Sequence, residues 1–189
     1  MQLSVTFRHM EPTDALKAYA KERMERVKKY LPDPIACHVV MSTERHNHRI
    51  DVTFQLHNGL TVAGHESTEN MYSSIDLCIA KIERQVRKYK GKIEEKRVRP
   101  HNIEPMQWQH SIVHEEGEAA APEASAKQAY TISKTEQLQA KPLSVDDAIV
   151  QLNLMNEPFL VFRMENGGAV GVVYKRADGT FGLIDTGGN

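Results

Sequence analysis

The sequence is short of cysteine: two residues, Cys37 and Cys78, in 189, and neither stands in a CxxC or comparable metal spacing. Two cysteines exclude a disulfide framework, and both fall on the apolar side of expected elements, where a thiol acts as a small hydrophobe. No stretch approaches the ~20 apolar residues of a membrane span, so no membrane partner is expected. The opening, MQLSVTFRHMEPT, lacks the basic start, apolar core and small-residue cleavage site of a secretory leader, and a cytoplasmic location is expected. Also missing are GxSxG, GxxxxGK[ST], and a GxGxxG between strand and helix. Asp146 and Asp147 are adjacent at a helix start, where they suit the helix dipole better than acid–base work. His46-x-His48 has no two further ligands at a recognised spacing. Neither an enzyme, nor a metal site, nor a cofactor is expected.

Net charge is also nearly absent, at −1, but the balance is local. Residues 1–100 hold 18 Lys and Arg against 13 Asp and Glu, whereas residues 101–189 hold 6 against 12. A basic half joined to an acidic half points to a polyanion-binding module carrying a second unit with another task.

Hydropathy patterning divides the chain at the same place. Leu3, Val5 and Phe7 alternate with polar residues as in a half-buried strand. Thr13 is placed to cap a helix whose apolar stripe is Leu16, Ala20, Met24, Val27 and Leu31. Cys37, Val39 and Met41 mark a second strand, and Ile50, Val52, Phe54 and Leu56 a third. Asn58-Gly59 predicts a two-residue hairpin turn into a fourth strand, Leu60 to Glu66. Asn70 then caps a long helix with Ile75, Cys78, Ile79, Ile82, Val86, Tyr89 and Ile93 on one side. The order βαβββα, with one apolar stripe per helix, predicts two helices on one face of a four-stranded sheet.

Periodicity fails from Pro100 to Gln128, where Glu115-Glu116-Gly117-Glu118 and Ala119-Ala120-Ala121-Pro122-Glu123 read as a flexible acidic linker. Met106, Trp108, Ile112 and Val113 interrupt it with a small apolar patch. Order resumes at Tyr130-Thr131-Ile132-Ser133, a short strand. Ser144 then caps a helix bearing Ala148, Ile149, Leu152 and Met155. Strands follow at Phe159 to Arg163 and Val170 to Arg176, and Asp178-Gly179 turns the chain back into Phe181 to Ile184. The fold class is therefore α+β: a βαβββα domain over 1–99, a linker over 100–128, and a small βαββ domain over 129–189.

Two groups of residues carry the functional reading. On the second helix Lys81, Arg84, Lys88 and Lys92 recur as a ridge flanked by Arg87 and Lys90, and only Glu83 opposes these six cations between residues 81 and 92. Lys17, Lys21 and Lys28 make a shorter row on the first helix, and Arg45 and Arg49 lie in the loop 44–49. A face kept only for solubility mixes its signs, so this one is read as a polyanion site. In the C-terminal domain Phe159, Val161, Val170, Val172 and Tyr174 point to one side of their strands, and Leu160, Phe162 and Val173 to the other. One short helix covers one face only. A homodimer packed sheet to sheet is expected to bury the second, whichever that is.

These residues also resemble a known family. Asn70-Met71-Tyr72-Ser73-Ser74-Ile75-Asp76-Leu77, followed by Lys81-Ile82-Glu83-Arg84-Gln85-Val86-Arg87-Lys88-Tyr89-Lys90, is similar to the second helix of the ribosome-associated inhibitor and hibernation-promoting factor family. So is the start, with Pro12-Thr13-Asp14-Ala15-Leu16. Lys141-Pro142-Leu143-Ser144, Phe159-Leu160-Val161-Phe162 and Val172-Val173-Tyr174-Lys175-Arg176 resemble the extra C-terminal domain of its long form. The resemblance covers residues 1–97 and 130–185. It implies an N-terminal domain that binds 16S rRNA of the 30S subunit near the decoding region, where it excludes mRNA and tRNA. It also implies a C-terminal domain that joins two 70S ribosomes as a 100S dimer. Gly171 stands where that family usually has Asn, Lys175 where it has Arg, Asn156-Glu157-Pro158 for a commoner Gly/His-containing turn, and Asp185-Thr186 for Glu-Pro. Two rival readings are a general double-stranded RNA binder, which would also take free duplex, and a modulator of an alternative sigma factor, which would bind that factor and no 30S subunit.

Overall fold

The computed structural model describes residues 1–44, 46–95, 106–115 and 130–187. The N-terminal unit runs β1 (Gln2–Arg8), α1 (Asp14–Lys28), β2 (Pro34–Glu44), β3 (Asn47–Leu56), β4 (Thr61–Thr68) and α2 (Met71–Glu95). The strands form one sheet in the order β1-β2-β3-β4, with β1 parallel to β2 and the other neighbours antiparallel. Cys37, Val39 and Met41 of β2 pair with Phe54, Val52 and Ile50 of β3, so the expected apolar rows meet in register. Both helices lay their stripes on that face. Leu16, Ala20, Met24 and Val27 of α1, and Ile75, Cys78, Ile79, Ile82, Val86 and Ile93 of α2, are buried in a single core with the strands.

Local chemistry sets the helix starts. The Thr13 hydroxyl accepts from Leu16 N–H (3.4 Å) and the Asn70 side-chain oxygen from Tyr72 N–H (2.8 Å), the two expected caps. Ser74 donates to the His48 carbonyl (2.6 Å) and accepts from Thr68 N–H (3.1 Å), which pins the first turn of α2 to β3 and β4. Gly64 lets α2 close on β4: a Cβ there would lie 2.7 Å from the Cγ1 of Ile82. The Asn58-Gly59 turn differs from the two-residue form expected. Leu56 N–H bonds the Leu60 carbonyl and Gly59 N–H the Leu56 carbonyl, leaving a three-residue loop with Gly59 at φ +80°. Ala177-Asp178-Gly179 repeats this pattern, with Gly179 at φ +84°. Asn or Asp followed by a left-handed Gly suits both loop lengths, so the dipeptide alone could not choose between them.

Two corrections apply beyond residue 100. Residues 106–115 are not free linker: Met106–Glu115 is a strand, β5, paired antiparallel with β6 (Tyr130–Ala140), Trp108 opposite Leu138. The strand expected at Tyr130–Ser133 thus belongs to this hairpin and not to the C-terminal sheet. Residues 100–105 and 116–128 of the expected linker lie outside the described residues. The βαββ order is started instead by β7 (Pro142–Leu143), followed by α3 (Val145–Met155), β8 (Phe159–Met164) and β9 (Val170–Lys175), with β10 (Phe181–Asp185) added at the edge. Sheet order is β10-β9-β8-β7, with β7 parallel to β8 across the α3 crossover. Two residues are too few to show a period, which is why β7 escapes a pattern reading. Among the described residues, no helix is long and apolar enough to cross a membrane.

Candidate nucleic-acid interface

Facing residues give the helix pair its geometry. Tyr19 of α1 hydrogen-bonds Asp76 of α2 (2.8 Å), and the ring of Tyr30, just beyond α1, lies 5.1 Å from the Arg87 guanidinium. The two contacts are 11 residues apart along each segment, so α1 and α2 run side by side in parallel, with the contacts about 16 Å apart at helical rise. Basic rows on both helices therefore run in the same direction, Lys17 lying over Phe7 of β1 and Lys81 reaching β4.

A tight cluster fixes the spacing between them. Arg23 Nε donates to Asp76 Oδ1 (2.7 Å), Tyr19 donates to Asp76 Oδ2, and Arg23 also donates to the Tyr19 hydroxyl (2.6 Å). Tyr72 packs edge-on against Tyr19, ring centroids 4.9 Å apart. Partial burial works against the Asp76 carboxylate, but hydrogen bonds from Arg23 and Tyr19 outweigh it and hold the carboxyl below its ordinary range. Sequence reading passed over this cluster, because a Tyr-x-x-x-Arg on one helix and an Asp on another share no local pattern.

The expected cations divide into two sets. Arg84, Lys88 and Lys92 on α2 and Lys21 on α1 are exposed and carry no carboxylate partner among the described residues. Arg87 and Lys90 are exposed and only loosely paired, each 3.8 Å from a glutamate one turn away. Lys17 and Lys28 are similar, at 3.8 and 3.6 Å from Asp14 and Glu25. Such surface pairs contribute little and are readily exchanged for phosphate. Lys81 and Arg49 differ. The Lys81 ammonium donates to Glu66 (2.9 Å) and to the His65 carbonyl, tying α2 to β4. Arg49 holds Asp51 with two hydrogen bonds, 3.0 and 2.8 Å, which raise its pKa. Both are engaged within the fold, so a phosphate would have to compete with Glu66 or Asp51 for them. Arg45 lies outside the described residues. Cys37 and Cys78 are core thiols pushed by burial to about 12, consistent with structural roles.

The C-terminal sheet resolves the question of its two faces. Phe162 and Val173 are buried beneath α3 with Leu143, Ala148 and Leu152, and Leu160 packs against that cluster. Assignment of Leu160, Phe162 and Val173 to a dimer contact is therefore corrected, because α3 already covers their side. Gly171 belongs here too: a Cβ would meet the Phe162 ring at 3.0 Å, so the larger residue usual at this position requires that ring to move. The register pairs Phe159 with Tyr174 and Val161 with Val172 on the opposite face, and Ile184 lies beside Val172. There Phe159 is 47% exposed, Tyr174 37% and Ile184 52%. Tyr174 lies over Gly182, where a Cβ would collide with its ring.

Two profiles of one family match the sequence: "Sigma 54 modulation protein / S30EA ribosomal protein" over residues 3–94, and its C-terminus over residues 127–183. The chain belongs to this family. It is similar to a ribosome hibernation promotion factor of Lactococcus lactis subsp. cremoris, with 29% identity over 98% of this chain and 99% of the relative. Solved structures with likeness include a ribosomal subunit interface protein from Coxiella burnetii (21% identity, TM-score 0.43, 48% of this chain and 99% of that one). Another is the N-terminal domain of Protein Y from Thermus thermophilus (26% identity, TM-score 0.43, 47% and 99%). The S30EA description covers both the domain bearing the basic helix pair and the domain bearing the open apolar face.

Proposed function

We propose that this S30EA-family chain is a ribosome hibernation factor that binds the small subunit through the parallel α1–α2 pair. Family membership and the hibernation factor among its relatives support a ribosome-associated hibernation role. The observation that carries the finer reading is the exposed row Arg84, Lys88 and Lys92 on α2, held in a fixed relation to Lys21 of α1 by the Tyr19–Arg23–Asp76 cluster. Unpaired cations at fixed spacing neutralise backbone phosphates, and a rigid interval between two rows selects the shape of a folded RNA and not its sequence. In this reading the domain fills the decoding region of 16S rRNA and excludes mRNA and tRNA by volume. The open face of the C-terminal sheet then pairs with a second copy, joining two 70S ribosomes as 100S. The family gives no ground for a catalytic step, and none is invoked.

Co-sedimentation with 30S subunits tests the RNA face. Arg84→Glu with Lys88→Glu should abolish pelleting at moderate salt while circular dichroism stays that of the folded protein. Four phosphate contacts, at about 0.7–0.9 per contact in log–log slope, imply roughly a hundredfold loss of affinity between about 50 and 200 mM salt. Undiminished pelleting of the double variant would remove α2 from the interface.

A further inference from the structure

The exposed surface of α2 changes character half-way along the helix. Residues 71–80 include no Lys or Arg, and their one charged group, Asp76, is already held by Arg23 and Tyr19. Residues 81–92 carry six cations and one acid. At about 100° per residue, Leu77, Arg84 and Lys88 fall within about 40° of one another around the helix axis. All three are exposed, so one outward stripe is apolar at its start and basic at its end.

Large apolar groups stand exposed where the cations are missing. Leu77 is 53% exposed and Tyr72 41%. The Tyr72 ring lies on the α1 side, edge-on to Tyr19. Tyr19 is itself fixed: it donates to Asp76 (2.8 Å), accepts from Arg23 (2.6 Å) and has the Arg23 guanidinium 4.4 Å from its ring centre. Tyr72 is thereby backed by a neighbour that cannot easily move, and a half-exposed ring so held loses little freedom on meeting another ring. With no surplus of positive charge, this half of α2 has little to offer a phosphate. It offers a flat apolar ring instead.

We propose that Tyr72 is a stacking site for an unpaired base of the RNA whose phosphates Arg84 and Lys88 neutralise. From Tyr72 to Arg84 the helix rises about 18 Å, so base contact and phosphate contact are separate along one binding surface. Bases turned out of a loop or bulge stack on aromatic side chains. Every base has a π face, so such a contact selects an unpaired nucleotide and not a sequence. A continuous duplex has no base to give, which sets this chain apart from a general double-stranded RNA binder. The inference rests on the ribosome-binding reading above and adds to it a contribution that, unlike phosphate contact, does not weaken with salt.

Co-sedimentation of the full chain with 30S subunits at several salt concentrations tests this, with circular dichroism confirming the fold of each variant. Tyr72→Leu keeps an apolar contact for Tyr19 but removes the flat ring. It should weaken binding about tenfold while the log–log salt slope stays that of wild type. Tyr72→Phe, which keeps the ring, should bind as wild type. A photoreactive p-azidophenylalanine at position 72 should crosslink to an unpaired nucleotide of 16S rRNA, located by primer extension. Wild-type affinity of Tyr72→Leu would overturn the stacking site, as would an equal loss in Tyr72→Phe or a crosslink to ribosomal protein alone. Each of those results leaves the ribosome-binding reading standing if Arg84→Glu with Lys88→Glu is lost from the pellet. Undiminished pelleting of that double variant strikes the reading itself.

Discussion

The two main sheets differ in how completely this chain covers them. The N-terminal sheet places its apolar rows under two helices and turns Ser4, His38, Thr53, Asp51 and His65 to the other side, a face water can satisfy. The C-terminal sheet is covered by α3 on one side and shows Phe159, Val161, Val172, Tyr174 and Ile184 on the other. The first sheet is complete and offers charge on its helices; the second is incomplete and offers apolar area. Attraction to phosphate is long-ranged, salt-sensitive and tolerant of sequence, while apolar burial is short-ranged, salt-tolerant and demands a matching shape. One chain can therefore carry two recognition modes that respond oppositely to ionic strength.

Substitutions can break this contrast in order of size. Phe162→Ala beneath α3 should cost about 3–5 kcal/mol and unfold the C-terminal unit, as urea denaturation would register. Ribosome binding should survive it, since the helix pair lies elsewhere. Tyr174→Ala on the open face should leave the fold nearly as stable, yet weaken self-association by about tenfold, seen in analytical ultracentrifugation, because the ring is lost from the partner contact. Lys81→Glu should reduce 30S binding less than Arg84→Glu in the same pelleting assay, since Lys81 is spent on Glu66 and His65.

The smallest effect is a pH dependence. Asp76 has a folded pKa below its unfolded value, so its contribution is present above the unfolded pKa and lost as pH falls through the folded one. Thermal stability of the wild type should drop more than that of Asp76→Asn on acidification through the carboxylate range, in melts followed by circular dichroism. Equal drops would remove the cluster's electrostatic part.

Much of this was legible in the sequence because it is local. Periods of two and of three to four place the βαβββα core, and caps at Thr13, Asn70 and Ser144 sit where short polar side chains precede apolar runs. Non-local features escaped. Trp108 lies in a stretch of linker composition, yet its strand is completed by residues about 30 positions later. Val150 and Leu154 fall off the stripe assigned to α3, and the residues they pack against belong to the N-terminal core, far away in sequence. Which cations are free was likewise hidden, because Lys81 meets Glu66 and Arg49 meets Asp51 only once the sheet forms.

The central claim is that one face holds the ribosome and the other holds a second copy. Sucrose-gradient sedimentation of 70S ribosomes with full-length protein tests it most directly, comparing wild type with Tyr174→Ala combined with Ile184→Ser. Wild type should drive 70S particles into 100S, and the variant should travel bound to 70S with the 100S peak gone. A 100S peak of wild-type size with the variant, or loss of the variant from 70S, would contradict the division of labour between the two sheets.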